Sequence, residues 1–175
     1  LFAGIATDTG WFRFSNTDGP TLRASAALIE AGAVPDLMYA RLMESYSPAR
    51  LRLMTEMLRT LEWHAGGAVA IMTITQEAIK LTGATASDTE DLVNEPLSVA
   101  GVVAVALLNE TPDGCVRVNF RSKSPAIVGR DVNVAAVAQQ FGGGGHHRSA
   151  GARIQAPPAD ARQQVLTAML AAVAA

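Results

Sequence analysis

The run Gly142-Gly143-Gly144-Gly145-His146-His147-Arg148-Ser149-Ala150-Gly151 is where residue types and spacing most readily do chemistry. Consecutive glycines let a backbone take positive φ and turn several N–H groups towards one point, which makes a nest for an anion. A following histidine and arginine add donors and charge around that point. The plain alternative is a flexible linker, but linkers rarely set His-His-Arg after four glycines between two apolar segments. His146 and His147, as immediate neighbours, make a poor pair of zinc ligands, and the single Cys115 is distant in sequence.

A second set lies in the stretch after Cys115. There Val116, Val118 and Phe120 alternate with Arg117, Asn119 and Arg121, and Ser122 and Lys123 follow. On a half-buried strand such alternation puts the polar members on one face. Arg117 reads as solvent-facing, whereas Arg121-Ser122-Lys123 falls at the strand end, and the planar fork of Arg121 suits a phosphate. Asp131 and Asn133 read first as helix caps and second as ligand contacts. The third set is Thr7-Asp8-Thr9-Gly10, where Asp8 is a candidate hard-metal ligand. One carboxylate does not make a metal site, and Thr9, Arg13 and Asn16 are candidates to line the same cleft. His64 reads as a surface or capping residue.

These sets need elements to position them. The apolar run Leu1 to Ala6 reads as the tail of a buried strand, in a chain expected to continue upstream. Helices are expected from Thr21 to Ala31, closed by Gly32, and from Pro35 to Ser45. Ser47 as N-cap and Pro48 at the first helical position announce a third, amphipathic helix that Gly66-Gly67 breaks. The pattern then changes to a strand over Ala68 to Thr75, a helix over Gln76 to Leu81, a short helix over Ser87 to Asn94 and a Val-rich strand from Gly101 to Leu108. Thr111-Pro112-Asp113-Gly114 is a turn leading into the Arg117 strand. A helix over Asn133 to Phe141, a strand over Gly151 to Gln155 and a closing helix over Asp160 to Val173 complete the order. This is an α/β chain with a mixed sheet flanked by helices. The division expected is 1–45, 46–66 as a linking helix, and 67–175.

Composition bounds the function. With 49% hydrophobic and 17% charged residues, the chain can bury a core and is not a disordered segment. It contains no run of 18 apolar residues and no basic, then apolar, leader, so neither a membrane span nor a signal peptide is expected. One cysteine excludes an internal disulfide framework and suits the cytoplasm. The net charge of −2 argues against a general duplex-binding surface. Between Arg117 and Arg153, however, six basic residues face one acid, Asp131, which points to a small anion site in an otherwise acidic chain. A solvated basic edge is the competing reading.

Taken in order, the three sets resemble the DHH phosphoesterase family, named for its Asp-His-His motif. The branch they are most similar to is that of oligoribonucleases that also act as phosphoadenosine-phosphate phosphatases, some members cleaving cyclic dinucleotides. Leu1 to Ala33, with Gly4-Ile5-Ala6-Thr7-Asp8-Thr9-Gly10-Trp11-Phe12-Arg13, resembles the end of the family's catalytic domain. Arg121-Ser122-Lys123, Asp131-Val132-Asn133 and Gly142 to Gly151 resemble its DHH-associated domain. The resemblance implies two manganese ions in the complete enzyme, with Asp8 as one ligand and the Asp-His-His motif itself absent from this chain. It implies a substrate grip made by Arg121, Ser122, Lys123, Gly142, Gly143, Gly144, Gly145, His146 and His147, with Asn94 and Asn133 facing the same cleft. The implied substrate is a short oligonucleotide or nucleotide phosphate, and the implied chain is inactive alone.

Two other readings stay open at this stage. One is a stand-alone module binding nucleotides or single-stranded RNA ends. The other is an RNA-binding appendage like the related domain that closes alanyl-tRNA synthetases. The Thr-Asp-Thr-Gly segment favours the enzyme part, and 5% aromatic content disfavours a long stacking platform. Self-association through Trp11, Phe12 and the apolar N-terminal segment is a further expectation.

Overall fold

A computed structural model describes residues 1–14 and 16–174, which divide into two compact units, Leu1–Tyr46 and Ser47–Ala175. The first unit is helical: α1 (Phe2–Asp8), α2 (Gly19–Glu30) and α3 (Pro35–Met43). The strand expected over Leu1 to Ala6 is therefore a helix. Its two buried side chains, Phe2 and Ala6, are four residues apart, one helical turn. A short apolar run does not by itself separate strand from helix. Asp18 caps α2 by accepting from the Thr21 N–H at 2.9 Å. Among the described residues α2 buries only Ser25, and α3 buries none.

The second unit contains α4 (Pro48–Arg59), β1 (Glu62–His64), β2 (Val69–Ile74), α5 (Gln76–Thr82), β3 (Ala104–Glu110), β4 (Val116–Ser122), α6 (Pro125–Val128), α7 (Val134–Gln139), β5 (Gly144–His146), β6 (Ser149–Ile154) and α8 (Pro158–Ala174). As the Ser-Pro pair foretells, the Ser47 hydroxyl accepts from the Arg50 N–H at 3.0 Å and Pro48 opens α4. The helix stops at Arg59, before the glycines, because Thr60 turns its hydroxyl onto the Met57 carbonyl and the β2 backbone at Thr73. This leaves room for β1, which the sequence did not reveal. His64 accordingly sits in a strand, with Nε2 3.4 Å from the Glu62 carboxylate. The short helix expected over Ser87 to Asn94 is two 3-10 segments, Ala86–Thr89 and Leu92–Ser98.

The sheet runs β1-β2-β3-β4-β6-β5, with β2 and β3 parallel and every other pair antiparallel. It is the mixed, helix-flanked sheet expected. Burial patterns explain the layering. Strands β2 and β3 are buried almost throughout, so both their faces must be covered. On one face Val69, Ala106, Val118, Phe120 and Ala152 pack under α7 and α8. On the other, Ala70, Met72, Val105 and Leu107 pack with Leu53 and Met57 of α4 and with Leu92 and Val93. Strand β4 alternates instead, with Val116, Val118 and Phe120 buried and Arg117 exposed. β6 alternates likewise, burying Ala150, Ala152 and Ile154. Among the described residues the second core takes no side chain from β4, β6 or β5, so one face of this half of the sheet is left open. No helix among the described residues is long and apolar enough to cross a membrane.

Candidate functional site: the open face of the sheet

Register decides which polar side chains meet. In antiparallel pairs, directly opposite residues share a face. Arg121 of β4 lies opposite Ser149 of β6, and Ser149 lies opposite His146 of β5. Asn119, Gly151 and Gly144 form the next row on the same face. The alternation of β4 therefore delivers a row His146–Ser149–Arg121 to the open face, while Phe120 stacks beside Phe141 on the covered side, with ring centroids 6.4 Å apart.

The row is chemically unspent. Among the described residues the side chains of His146, Ser149 and Asn119 have no hydrogen-bond or ion-pair partner. Arg121 is half-buried and donates to its own neighbour's carbonyl, Phe120 O, at 3.0 Å. Burial pulls its guanidinium below the ordinary arginine range, and the Asp91 carboxylate pushes it back up. Arginine stays charged in either case, so this is a partly desolvated cation with donors to spare. Asn94 belongs to the same neighbourhood: its amide donates to Asp91 Oδ1 at 3.4 Å.

The glycine run turns out to be built differently from a nest of free amides. The N–H groups of Gly142 and Gly143 donate to Gln139 and Ala138 at the end of α7, at 3.1 and 2.9 Å. Gly142, at φ +70°, makes the left-handed turn out of that helix. Gly144 to His146 then form β5, an edge strand on β6. Two of these glycines are steric necessities. A Cβ on Gly143 would lie 2.2 Å from the Gly151 carbonyl oxygen, and one on Gly145 2.6 Å from the Ser149 oxygen. The run is thus the close-packed half of a hairpin that presents His146, and Gly144 remains exposed on the open face.

Other expected site residues are placed elsewhere. Ser122 points away from Arg121 to the covered side, where it is 7% exposed and its hydroxyl donates to Val132 O at 2.8 Å. Lys123 Nζ donates to the Val99 carbonyl. Asn133 caps α7, its side-chain oxygen accepting from the Ala135 and Ala136 N–H groups at 3.1 Å each. Asp131 is not a cap: its carboxylate pairs with His147 Nε2 at 3.0 Å, tying the loop after β5 to the segment before α7. In the first unit, the Asp8 carboxylate accepts from the Asn16 amide at 3.1 Å. Thr9 is buried and holds the turn after α1, donating to Ile5 O at 2.7 Å and accepting from the Phe12 N–H. Arg13 donates to Gly10 O. No group of three or more His, Cys, Asp or Glu side chains among the described residues comes together as a metal site. Asp8 alone does not fit a two-metal centre.

Ser149, inside the glycine run, and Arg153, at the end of the basic segment, are not singled out as site residues by the sequence. Their signal was there, in the period-two alternation Ser149-Ala150-Gly151-Ala152-Arg153-Ile154, but it begins inside a run that looked like loop.

Residues 66–175 match the model of the DHHA1 domain. The chain belongs to the DHHA1 family. Over 170 residues, 97% of its length, it is 34% identical to the bifunctional oligoribonuclease and PAP phosphatase NrnA of Thermus thermophilus. It is 30% identical to the Bacillus subtilis protein of that name over 154 residues, 88% of its length. The chain spans about half the length of these curated relatives, 48% and 46% respectively. Its fold is similar to that of an exopolyphosphatase-related protein from Bacteroides fragilis, with TM-score 0.86 and 25% identity over 94% of this chain and 46% of the other. It also resembles in fold a Vibrio pGpG-specific phosphodiesterase, PggH, at TM-score 0.56 and 15% identity, covering 98% of this chain and 54% of that one. The DHHA1 match begins after α4 and contains the whole open face.

Proposed function

We propose that this chain is the substrate-holding part of a phosphoesterase acting on short oligonucleotides or nucleotide phosphates. The carrying observation is the row His146–Ser149–Arg121. It joins a partly desolvated guanidinium to two unspent polar side chains on the uncovered half of a sheet. Such a row offers what a terminal phosphate needs: a planar fork of charged donors, a hydroxyl donor and an imidazole, on a rigid strand pair. Relatives named as oligoribonuclease and PAP phosphatase support nucleotides as the ligand class.

In this reading the row fixes the phosphate end of the substrate, and Asn94 with Asp91 lies at the margin where a base or sugar would meet polar groups. Bond cleavage is assigned to groups outside the sheet, so the chain binds nucleotides and does not hydrolyse them by itself. The test is a calorimetric titration with 5′-phosphorylated diadenylate, wild type against Arg121→Ala. Loss of a charge-assisted contact worth about 1.5–3 kcal/mol predicts affinity weaker by about tenfold or more. Unchanged affinity in the variant would refute the assignment of Arg121.

A further inference from the structure

At the other end of β4 a second row of polar side chains has no role in the grip just described. Register sets Asn109 of β3 opposite Arg117 of β4, and Arg117 opposite Arg153 of β6, on the same face as Arg121. Arg117 is exposed, with no hydrogen-bond or ion-pair partner among the described residues. Arg153 pairs through Nη2 with Asp113 and lies beside Cys115, and its side chain is exposed. Asn109 is only 7% exposed, and its enclosed Oδ1 has no partner. Like charges directly opposite on a ladder repel, and an unmet buried amide costs stability. Arg153 has a structural partner in Asp113, but among the described residues nothing pairs with Arg117 or with the Asn109 Oδ1.

Beside it lies an open concavity of about 410 Å³, lined by Arg117, Asn119, Gly143, Gly151 and Arg153 among others. Gly143 and Gly151 bring no side chains to it, so an incoming group can approach the backbone closely. Arg117, Arg153 and the unpartnered Asn119 amide line the concavity, no acid is among its lining residues, and Arg153 also pairs with the Asp113 carboxylate.

We propose that Arg117 and Arg153 form a second phosphate subsite, which holds a backbone phosphate of a single-stranded chain whose end sits at Arg121. The proposal rests on the reading of Arg121 above. Four residue steps along β4, at roughly 3.3 Å each, put the two subsites roughly 13 Å apart. A mononucleotide does not reach both; a short oligonucleotide does, with Asn119 beneath it midway. The second subsite makes affinity rise with chain length, and the open face becomes a ruler.

The experiment measures dissociation constants of this chain for adenosine 5′-monophosphate and for 5′-phosphorylated tetra-adenylate, at two salt concentrations. Proteins compared are wild type, Arg117→Gln/Arg153→Gln, Arg121→Ala, and Arg59→Gln/Lys80→Gln, which removes the same charge from exposed helix positions. The Arg117/Arg153 variant is expected to bind the mononucleotide as wild type does. It should bind the tetranucleotide about tenfold more weakly, with a salt slope smaller by about 0.7 per lost contact. The helix control should match wild type with both ligands. Tetranucleotide affinity equal in wild type and the Arg117/Arg153 variant overturns the second subsite, and so does an equal loss in the helix control. If Arg121→Ala still weakens binding in those cases, the primary grip survives; if no protein binds either ligand, both readings fall.

Discussion

Alanine at Gly143 and alanine at Gly144 should differ sharply in stability, although the two positions are neighbours in one run of glycines. Neither has positive φ, so backbone conformation does not separate them. Both substitutions stiffen the unfolded chain by a similar amount, about 0.4–1 kcal/mol, and that effect cancels in the comparison. What differs is space. A methyl at Gly143 would lie 2.2 Å from the Gly151 oxygen and 2.7 Å from Ala152 Cα and Cβ, whereas a methyl at Gly144 meets nothing within 4 Å. The two Gly151 and Ala152 backbone atoms and the Ala152 Cβ all belong to β6, a strand paired on both sides, so relief requires the segment entering β5 to lift away. Overpacking of this kind costs roughly 1–3 kcal/mol and sometimes more. A gap of about 1–3 kcal/mol between the variants is therefore expected, or some 3–12 °C in Tm for a unit of this size. Urea and thermal denaturation followed by circular dichroism measure it directly. If the two variants unfold within about 0.5 kcal/mol of each other, the close approach of β5 to β6 does not exist and the run is a loop after all.

Two further outcomes separate structural from ligand-facing residues. Ser122→Ala should lower stability by about 1–3 kcal/mol, because it strands the buried Val132 carbonyl, and should leave nucleotide affinity unchanged. Arg121→Ala should show the reverse pattern; Ser122→Ala weakening binding without loss of stability would contradict the facing of β4. The Asp88 carboxylate is held below its ordinary value of 3.8 by the Thr85 N–H and the hydroxyls of Ser47 and Thr85. A depressed folded pKa stabilises the fold above the unfolded value and ceases to do so as pH falls through the folded one. Asp88→Asn should thus be less stable than wild type at pH 7, with the difference closing as pH falls below 3.8 and through the lowered folded value; a difference constant with pH in urea unfolding would exclude the carboxylate as its cause.

Periodicity made much of this architecture legible before any coordinates. The unbroken apolar run before Asn109 demanded a strand covered on both faces, and the alternation from Val116 to Arg121 demanded one covered on a single face. Caps were equally local: Ser47 and Asn133 act within three residues of themselves, so sequence alone placed them. Where the reading failed, the deciding forces were not local. Leu1 to Ala6 is apolar enough for either element, and the choice of helix follows from which side chains are buried, a property of packing. Likewise Glu62–His64 and Gly144–His146 are too short to carry a period and become strands only because β2 and β6 offer open edges.

By itself, then, the sequence determined the alternating strands, the helix starts and the chemical inventory of arginine, histidine and glycine. Tertiary structure decided the site. Only strand register could bring His146, Ser149 and Arg121 into one row across three strands. Only the direction of each side chain could send Ser122 inward while its neighbour Arg121 faces out. The glycines, read from sequence as a cradle for an anion, serve mainly to let one backbone lie against another, because a contact of 2.2 Å is a fact of packing that no residue type announces.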